Sequence, residues 1–426
     1  MIFLYGVLTN ILYPFLFLFL KLRVFLKKED PIRYKEKISI KHFNIKRSID
    51  KKLLWFHAAS IGEYKSIIPI IKKLNSDNND YQFLITTTTL SSGNLATLET
   101  KKYDNIYHRF LPYDLNHLLE KFLSLWRPDN IFLVDSEIWP NLILKAAKKK
   151  ISISLLNARL TKKSFLRWSF FPKTAKKIFG TFKLCLCSNK ETQYYLEKLG
   201  ANNIYYFGNL KFIQNLEFSE TSNINNELLK KKFFWVAAST HEEEEIFCLK
   251  THLELKKHYN NIITFIAPRH ISRTLKIKSL FENYDLKTQV LSSKDEVLEE
   301  VEIVIINSFG NLNNYFRNAK SVFLGKSIVE RLKDDSGQNP IEAAWLNCKI
   351  YHGPYVSNFK EIYEILKKNK ISKEIKDYKE LAKHLLNDLK SNTIEKNENS
   401  NSINILGQNI LSNTILQIKN ILNDQN

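Results

Sequence analysis

The chain reads as an α/β protein: two Rossmann-like doubly wound domains facing a cleft, preceded by a membrane-anchor helix. Three observations predict this. Short apolar runs alternate with amphipathic helical spacing, the pattern of a parallel sheet covered by helices. The alternation occurs twice, and the two series open alike, "FHAASIGE" (56–63) and "WVAASTHE" (235–242), aligned on Ala-Ala-Ser so that Ser60 pairs with Ser239 and Glu63 with Glu242. The 426 residues, 44% hydrophobic and 12% aromatic, are too many for one ordinary core and apolar enough to fill two.

Residues 1–20, "MIFLYGVLTNILYPFLFLFL", carry no charge and just reach the length of a membrane span. Lys21, Arg23, Lys27 and Lys28 follow, with neither a basic n-region nor a cleavage site to suggest a signal peptide. The positive-inside rule then holds the body of the chain in the cytoplasm. An anchor helix over 1–28 is expected, as a span in preference to the half-inserted form that Pro14 and Thr9-Asn10 would also permit.

The first domain, 29–212, has strands expected at "LLWFHAAS", "YQFLITTTT", "PDNIFLVDSE", "ISISLLNAR" and "LCLCSN". Helices fall at "GEYKSIIPIIKKLN", "LSSGNLATLE", "WPNLILKAAKKK" and "KETQYYLEKLG", the last stopped by Gly200. The polar "IQNLEFSETSNINN" supplies a linker, set at 213–230. The second domain, 231–400, has strands expected at "FFWVAAS", "IITFIAPR", "VEIVIINS", "SVFLG" and "KIYHG". Residues 391–402 read as a loop, and 401–426 as a helix able to pack against either domain.

The balance of 64 Lys and Arg against 44 Asp and Glu gives +20, which favours anionic partners. The abundance of Lys, Asn, Ile and Phe is that of an AT-rich genome, which discounts part of this charge. No basic stripe interleaved with aromatics stands out, so nucleic acid is not an expected partner. Cys185, Cys187, Cys248 and Cys348 have neither C-x-x-C nor metal-like spacing and read as buried thiols in a reducing compartment.

Several segments carry chemistry-bearing residues. In "SIGE", Ser60 and Glu63 form a capping-box pattern, but Glu63 also stands at the carboxyl end of a strand, where α/β sheets bind ligands. "VDSEIWPN" ends a strand with Asp135 and Glu137, spaced like a metal-binding pair but lacking a third ligand, so no metal is expected. His57 reads as structural. "GNLKF" places Lys211 near the domain junction, where it would neutralise a leaving group or stay solvated. In "IAPRH", Pro268 sets the approach of Arg269, which can grip a phosphate bidentately, with His270 beside it. The glutamates of "STHEEEEIF" would repel a phosphate. "DSGQNPIEAAWL" is a better anion cradle, with Asn339 as cap, Pro340 at the first helical position and Glu342 at N3, or else an ordinary cap. "NSFGNL" repeats strand, turn at Gly310 and helix. Without G-x-S-x-G, a P-loop or G-x-G-x-x-G, serine hydrolase, kinase and nicotinamide readings fall away.

Together "HAASIGE", "TTTTLSSG", "LPYDL", "SEIWPN", "NARL", "GNLKF", "AASTHEEE", "APRH" and "GQNPIEAA" occur in an order that resembles one family, the 3-deoxy-D-manno-octulosonic acid (Kdo) transferases of lipopolysaccharide synthesis. The resemblance covers about residues 53–360. It implies a GT-B fold, with the acceptor on the first domain and the nucleotide sugar on the second. It implies inverting transfer of Kdo from CMP-Kdo to a hydroxyl of the lipid A precursor, without a metal, at the cytoplasmic face of the inner membrane, where anionic lipids are a further partner.

By the same resemblance, Glu63 matches the general base, and Asp135 and Lys211 match residues that stabilise the transition state. Pro268, Arg269, the backbone of Phe309, Gly310 and Asn311, and the run Asn339, Pro340, Ile341 and Glu342 match nucleotide contacts. The chain departs from the family at Asp135, usually glutamate; at Gln338, often histidine; at Asn307 and Asn311, usually acidic; and at Glu243, commonly glycine. Alternatives are another GT-B enzyme, either a lipid A disaccharide synthase or a nucleotide-sugar epimerase, and a non-catalytic protein that binds anionic lipid.

Overall fold

A computed structural model of the chain describes residues 2–43, 47–213, 225–292, 295–308, 312–390 and 396–423. Phe309, Gly310, Asn311 and most of the expected linker lie outside the described residues. The chain divides into two units, Met1–Asn215 with Leu406–Asn426, and Leu216–Ile405.

The first unit holds β1 (Lys52–His57), β2 (Tyr81–Thr87), β3 (Ile106–Phe110), β4 (Asn130–Val134), β5 (Ser152–Ala158), β6 (Leu184–Cys187) and β7 (Ile204–Tyr206). They form one parallel sheet in the order β3-β2-β1-β4-β5-β6-β7. The second unit holds β8 (Phe234–Thr240), β9 (Ile263–Pro268), β10 (Thr288–Leu291), β11 (Ile303–Ile306), β12 (Ser321–Leu324), β13 (Lys349–His352) and β14 (Ser372–Glu374). Its sheet is also parallel, in the order β10-β11-β9-β8-β12-β13-β14. The strand order reverses between β1 and β4 and between β8 and β12, and crossovers diverge at such points. The central strands are covered on both faces, so β1 is buried from Leu53 to His57 and β4 from Asn130 to Val134. Trp55, Phe122, Trp126 and Leu133 meet in the first core, and Trp235, Ile266, Ile303 and Phe323 in the second.

Four strands have no counterpart among the expected ones: β3, β7, β10 and β14. They are the two edges of each sheet. An edge strand lacks a neighbour on one side and is less fully covered, so its sequence need not be a continuous apolar run; β3 alternates buried and half-buried positions. All four cysteines are free and buried, Cys185 and Cys187 side by side in the first core.

The expected anchor helix is two helices, Ile2–Ile11 and Tyr13–Phe25, whose axes bend by 56° over Tyr5–Ile11 and Tyr13–Phe25. Pro14 explains the break, since it has no N–H to donate and its ring clashes with the carbonyl four residues earlier. Among the described residues no single helix is long and apolar enough to cross a membrane, although the bent pair passes by length and composition. One side of the pair docks on the first unit: the Tyr13 hydroxyl donates to the Ile38 carbonyl at 2.9 Å, and Leu20 packs with Tyr34 and Ile38. At the other end of the chain, 396–402 are helical rather than a loop, as the start of one helix, Lys396–Asn423. Once its apolar half docks on the first unit, extending that helix adds a hydrogen bond per residue and little further ordering.

Asp114, in "LPYDL", ties three of these parts together. Its carboxylate accepts from the amides of Asn141 and Leu142 at 3.0 and 2.9 Å, which caps helix Pro140–Lys148, and from the Tyr5 hydroxyl at 2.9 Å. Replacing it leaves two buried amides and a phenol without an acceptor. Asp114→Ala is therefore expected to lower unfolding stability by about 2–3 kcal/mol in urea titration, with no loss of secondary structure at low denaturant.

Candidate functional site

In the first unit the site begins where β1 hands over to helix Ile61–Asp77. The capping box forms, with one change. The Ser60 hydroxyl accepts from the Glu63 amide at 3.4 Å and donates to Glu63 Oε1 at 2.7 Å, while Glu63 Oε2 accepts from the amide of Ala59, not Ser60, at 2.7 Å. A capping carboxylate with only those donors would be a stronger acid than usual. Glu63 is a weaker one: burial raises its pKa, the negative charges of Asp135 and Glu137 raise it further, and together they outweigh the Ser60 and Ala59 donors. Its carboxylate therefore shares its surroundings with those of Asp135 and Glu137, which follow β4 across the β1/β4 reversal.

Asp135 follows β4 directly in a left-handed conformation, φ 63°. Its amide donates to the Leu156 carbonyl at 2.9 Å and its carbonyl accepts from Arg159 N at 3.3 Å, so β5 fixes its direction. Burial raises its pKa, against the pull of the Lys211 and Arg159 charges. Glu137 moves the other way. Burial is the largest single influence and raises it, but the His57 imidazole at 3.1 Å and the Trp139 indole N–H at 2.7 Å together bring it below the usual range. His57 is held in turn by Thr86, whose carbonyl and hydroxyl lie 3.1 and 2.9 Å from Nδ1. Neighbouring carboxylates whose environments push their pKa values apart are the arrangement that lets one accept a proton while the other stays charged. In sequence His57 reads as structural and Glu137 has only the spacing of a metal pair, with no metal expected; what links them is the 80-residue separation that the β1–β4 pairing closes. Among the described residues no group of three or more His, Cys, Asp or Glu stands close enough to hold a metal.

Lys211 lies in the turn Leu210–Ile213, brought to the same place from two sides. Asn157, left-handed at a bulge in β5 with φ 52°, accepts from the Leu210 amide through Oδ1 at 2.9 Å. From the other side the C-terminal helix presses on the turn. A Cβ at Gly407 would stand 2.5 Å from the Phe212 carbonyl, and one at Gly208 (φ 119°) 2.6 Å from Ile410 Cδ1. Glu63, Asp135 and Lys211, 148 positions apart from first to last (211 minus 63), are thus assembled in one unit.

In the second unit a group of basic side chains stands at the ends of β8, β9 and β12. Pro268 closes β9 and is buried; Arg269 follows it, exposed, its amide donating to the Thr240 carbonyl at 3.0 Å. Its guanidinium makes no ion pair among the described residues. The His241 and His270 rings meet edge to face with centroids 6.0 Å apart. His241 is held down at about 4, by burial first and then by the charges of Lys326, His270 and Arg269, against its hydrogen bond to the Ser239 carbonyl. Neither His241 nor Lys326 stands out in sequence: His241 lies within "AASTHEEE", where only the glutamates draw attention, and Lys326 sits in none of the motifs.

The run of glutamates behaves differently from its sequence reading. Glu242 and Glu243 are exposed and pair with Lys276 and Arg331. Glu244 and Glu245 turn inward, away from any role as a phosphate repellent. Glu244 is fully buried and accepts from four amides, His241 at 2.9 Å, Lys326 at 2.7 Å, Ser327 at 2.9 Å and Ile328 at 3.3 Å, and so moulds the turn after β12. A Cβ at Gly325 would stand 2.7 Å from its Oε2. Glu245 is gripped by Arg273 at 2.9 and 3.0 Å. The equivalence of Glu63 with Glu242 therefore fails in space: the residue that reaches back from the second helix start is Glu244. Glu243 adopts φ 80°, which explains a glycine there in the family.

The helix after Asn339 begins one residue later than expected and is short, Ile341–Trp345, with Pro340 as N-cap and Glu342 at N2. Asn339 Oδ1 accepts from the Ile341 amide at 3.2 Å.

A family profile described as "3-Deoxy-D-manno-octulosonic-acid transferase (kdotransferase)" matches residues 33–214. The 3-deoxy-D-manno-octulosonic acid transferase of Rickettsia bellii is 31% identical over 414 residues, 95% of this chain and 96% of that one. That of Aquifex aeolicus is 26% identical over 81% of this chain and 89% of its own. In fold, the chain is similar to a glycosyltransferase from Rickettsia africae, with TM-score 0.57 and 12% identity over 88% of this chain and 99% of that one. It is also similar to the UDP-GlcNAc 2-epimerase of Neisseria meningitidis, with TM-score 0.55 and 12% identity over 84% of this chain and all of that one.

The carboxylate geometry is directly testable. Carbon-detected NMR of selectively labelled glutamate should show Glu63 titrating above the ordinary 4.5. Asp135→Asn removes a negative neighbour and should move that midpoint down; an unmoved midpoint would refute the coupling.

Proposed function

We propose a reaction from one premise: the chain belongs to the 3-deoxy-D-manno-octulosonic acid transferase family, glycosyltransferases that transfer Kdo in lipopolysaccharide synthesis. The donor is CMP-Kdo and the acceptor a sugar hydroxyl of the lipid A precursor. The observation that carries the mechanism is the raised pKa of Glu63 beside an ionised Glu137.

Glu63 takes the proton of the acceptor hydroxyl. The freed oxygen attacks the anomeric carbon of Kdo from the side opposite the nucleotide, the new C–O bond forms as the bond to the cytidylate oxygen breaks, and CMP leaves with the electron pair. Inversion follows from this single displacement. A base in this position contributes typically 10²–10⁴-fold. Lys211 offsets the negative charge that builds on the departing phosphate, and Asp135 orients its ammonium. On the second unit, Arg269 takes the phosphate of CMP with His241, His270 and Lys326 around it, and Pro268, the backbone of Phe309 to Asn311 and the run Asn339 to Glu342 hold the nucleoside. No metal is required, because cations already supply the charge that a metal would bring.

The N-terminal helices supply the membrane contact, as a docked pair lying on the cytoplasmic face of the inner membrane. Tyr5, Tyr13 and Leu20 face the first unit, whereas Phe15, Leu18 and Phe25 are 68%, 67% and 81% exposed. Such a face supports interfacial attachment.

Incubation with CMP-Kdo and tetra-acylated lipid A precursor, read by mass spectrometry, should show addition of Kdo. Glu63→Gln, which preserves the cap, should reduce kcat by at least about 100-fold and leave the CMP dissociation constant within about twofold; a mutant with undiminished turnover would remove Glu63 as base. Because the base must be deprotonated and its pKa is raised, kcat/KM should climb with pH over a range above that of an ordinary glutamate, and fall away below it.

A further inference from the structure

We propose that the tip between helices Lys162–Ser169 and Pro172–Phe179 is a second membrane contact, which seats Phe170 and Phe171 in the headgroup layer of an anionic bilayer. The proposal rests on the membrane reading above but concerns a different part of the molecule.

The two helices are fixed from behind. Phe165 stacks on Tyr195 at 4.4 Å between centroids, Trp168 meets Phe179 edge-on at 5.3 Å, and Ala175, Ile178 and Phe179 are buried. Having used those apolar residues for packing, the pair leaves others in water: Phe170 is 79% exposed, Phe171 50% and Leu166 49%. Around them stand six exposed cations, Lys162, Lys163, Arg167, Lys173, Lys176 and Lys177, none in an ion pair among the described residues. Elsewhere in the unit cations commonly find partners, as Lys145 and Lys149 do on Glu120. No Asp or Glu occurs from 159 to 190. The expectation of no basic stripe interleaved with aromatics is corrected here: residues 162–177, "KKSFLRWSFFPKTAKK", are one, and folding leaves Phe170, Phe171 and the cations exposed together.

Aromatic rings at a convex tip ringed by lysines match the boundary between acyl chains and anionic headgroups. Nucleic acid fits less well, since bases stack on rings that line a groove. The tip is also one helix removed from the N-terminal pair, because helix Pro140–Lys148 touches both helix Ile2–Ile11 and helix Pro172–Phe179. Each cation near an anionic leaflet is worth a factor of about five in partitioning.

The test uses the full chain in vesicle flotation, with phosphatidylcholine vesicles against vesicles containing about a quarter phosphatidylglycerol. The wild type should float with the anionic vesicles. Phe170→Ser with Phe171→Ser should lower its partitioning at least about tenfold, and Lys173→Glu with Lys176→Glu by more, with unchanged thermal unfolding since all four side chains are exposed. An environment-sensitive dye on Phe170→Cys should brighten on the vesicles; the four native thiols are buried and will not compete. If the wild type floats and the Phe variant floats equally with its dye still in water, the tip proposal falls and the N-terminal contact stands. If the wild type does not float, the membrane reading itself falls, and this proposal with it. Equal flotation with lost binding of a single-stranded oligonucleotide, or with a changed oligomeric state, would reassign the tip and overturn the proposal.

Discussion

Every strand in both sheets runs parallel, and the rest of the molecule follows from that constraint. Parallel neighbours need a crossover connection each time, so all strand ends of one polarity collect at one edge. Where the strand order reverses, successive crossovers leave on opposite faces, and the residues just past the two strands are left together. β1 and β4 meet there in the first unit, which is why Glu63 comes to stand by Asp135 and Glu137. β8 and β12 do the same in the second unit, where Glu244 reaches from one strand's exit to hold the turn after the other.

The two switch points carry opposite chemistry on a shared scaffold. The first gathers carboxylates out of water, and the energy of doing so shows as displaced acidity. His57 and Trp139 keep Glu137 ionised by hydrogen bonds, while Glu63, whose two donors are outweighed by burial and two negative neighbours, becomes the more basic of the two. The second gathers cations and backbone amides. Its deeply buried Glu244 carboxylate accepts from four N–H groups, and its negative charge shapes the loop that presents Lys326. In the proposed reaction the first site is suited to accept a proton and the second to hold an anion.

The termini serve the first of these sites. Tyr5 reaches Asp114, which caps the helix just after Glu137, so the N-terminal pair is braced against the same turn that carries the β4 acids. The C-terminal helix returns to the first unit and presses Gly407 and Ile410 on the turn of Lys211, while Lys419 pairs with Asp77 at the far end of the helix that Glu63 opens. A segment with no motif of its own thereby helps set the position of the turn that carries Lys211.

Local signals in the sequence determined the interior strands, the Ser60 cap, Gly200 as a helix stop, and the ordered motifs that mark the family. Each depends on residues within one or two turns of one another, and buried strands advertise themselves as apolar runs. Tertiary structure alone decided the rest. The four edge strands are half-covered and carry no such run. Pro14 marks the helix boundary in sequence, but that the second helix packs Leu20 against Tyr34 and Ile38 is visible only in the fold. "EEEE" is one uniform word in the chain, but its members face water, Arg273 or four amides according to where the β12 turn lies. The acidity of Glu63 could not be read from "SIGE" for the same reason. It is set first by burial under the folded chain and then by charges 72 and 74 positions away (135 and 137 minus 63), and both act through space, not along the chain.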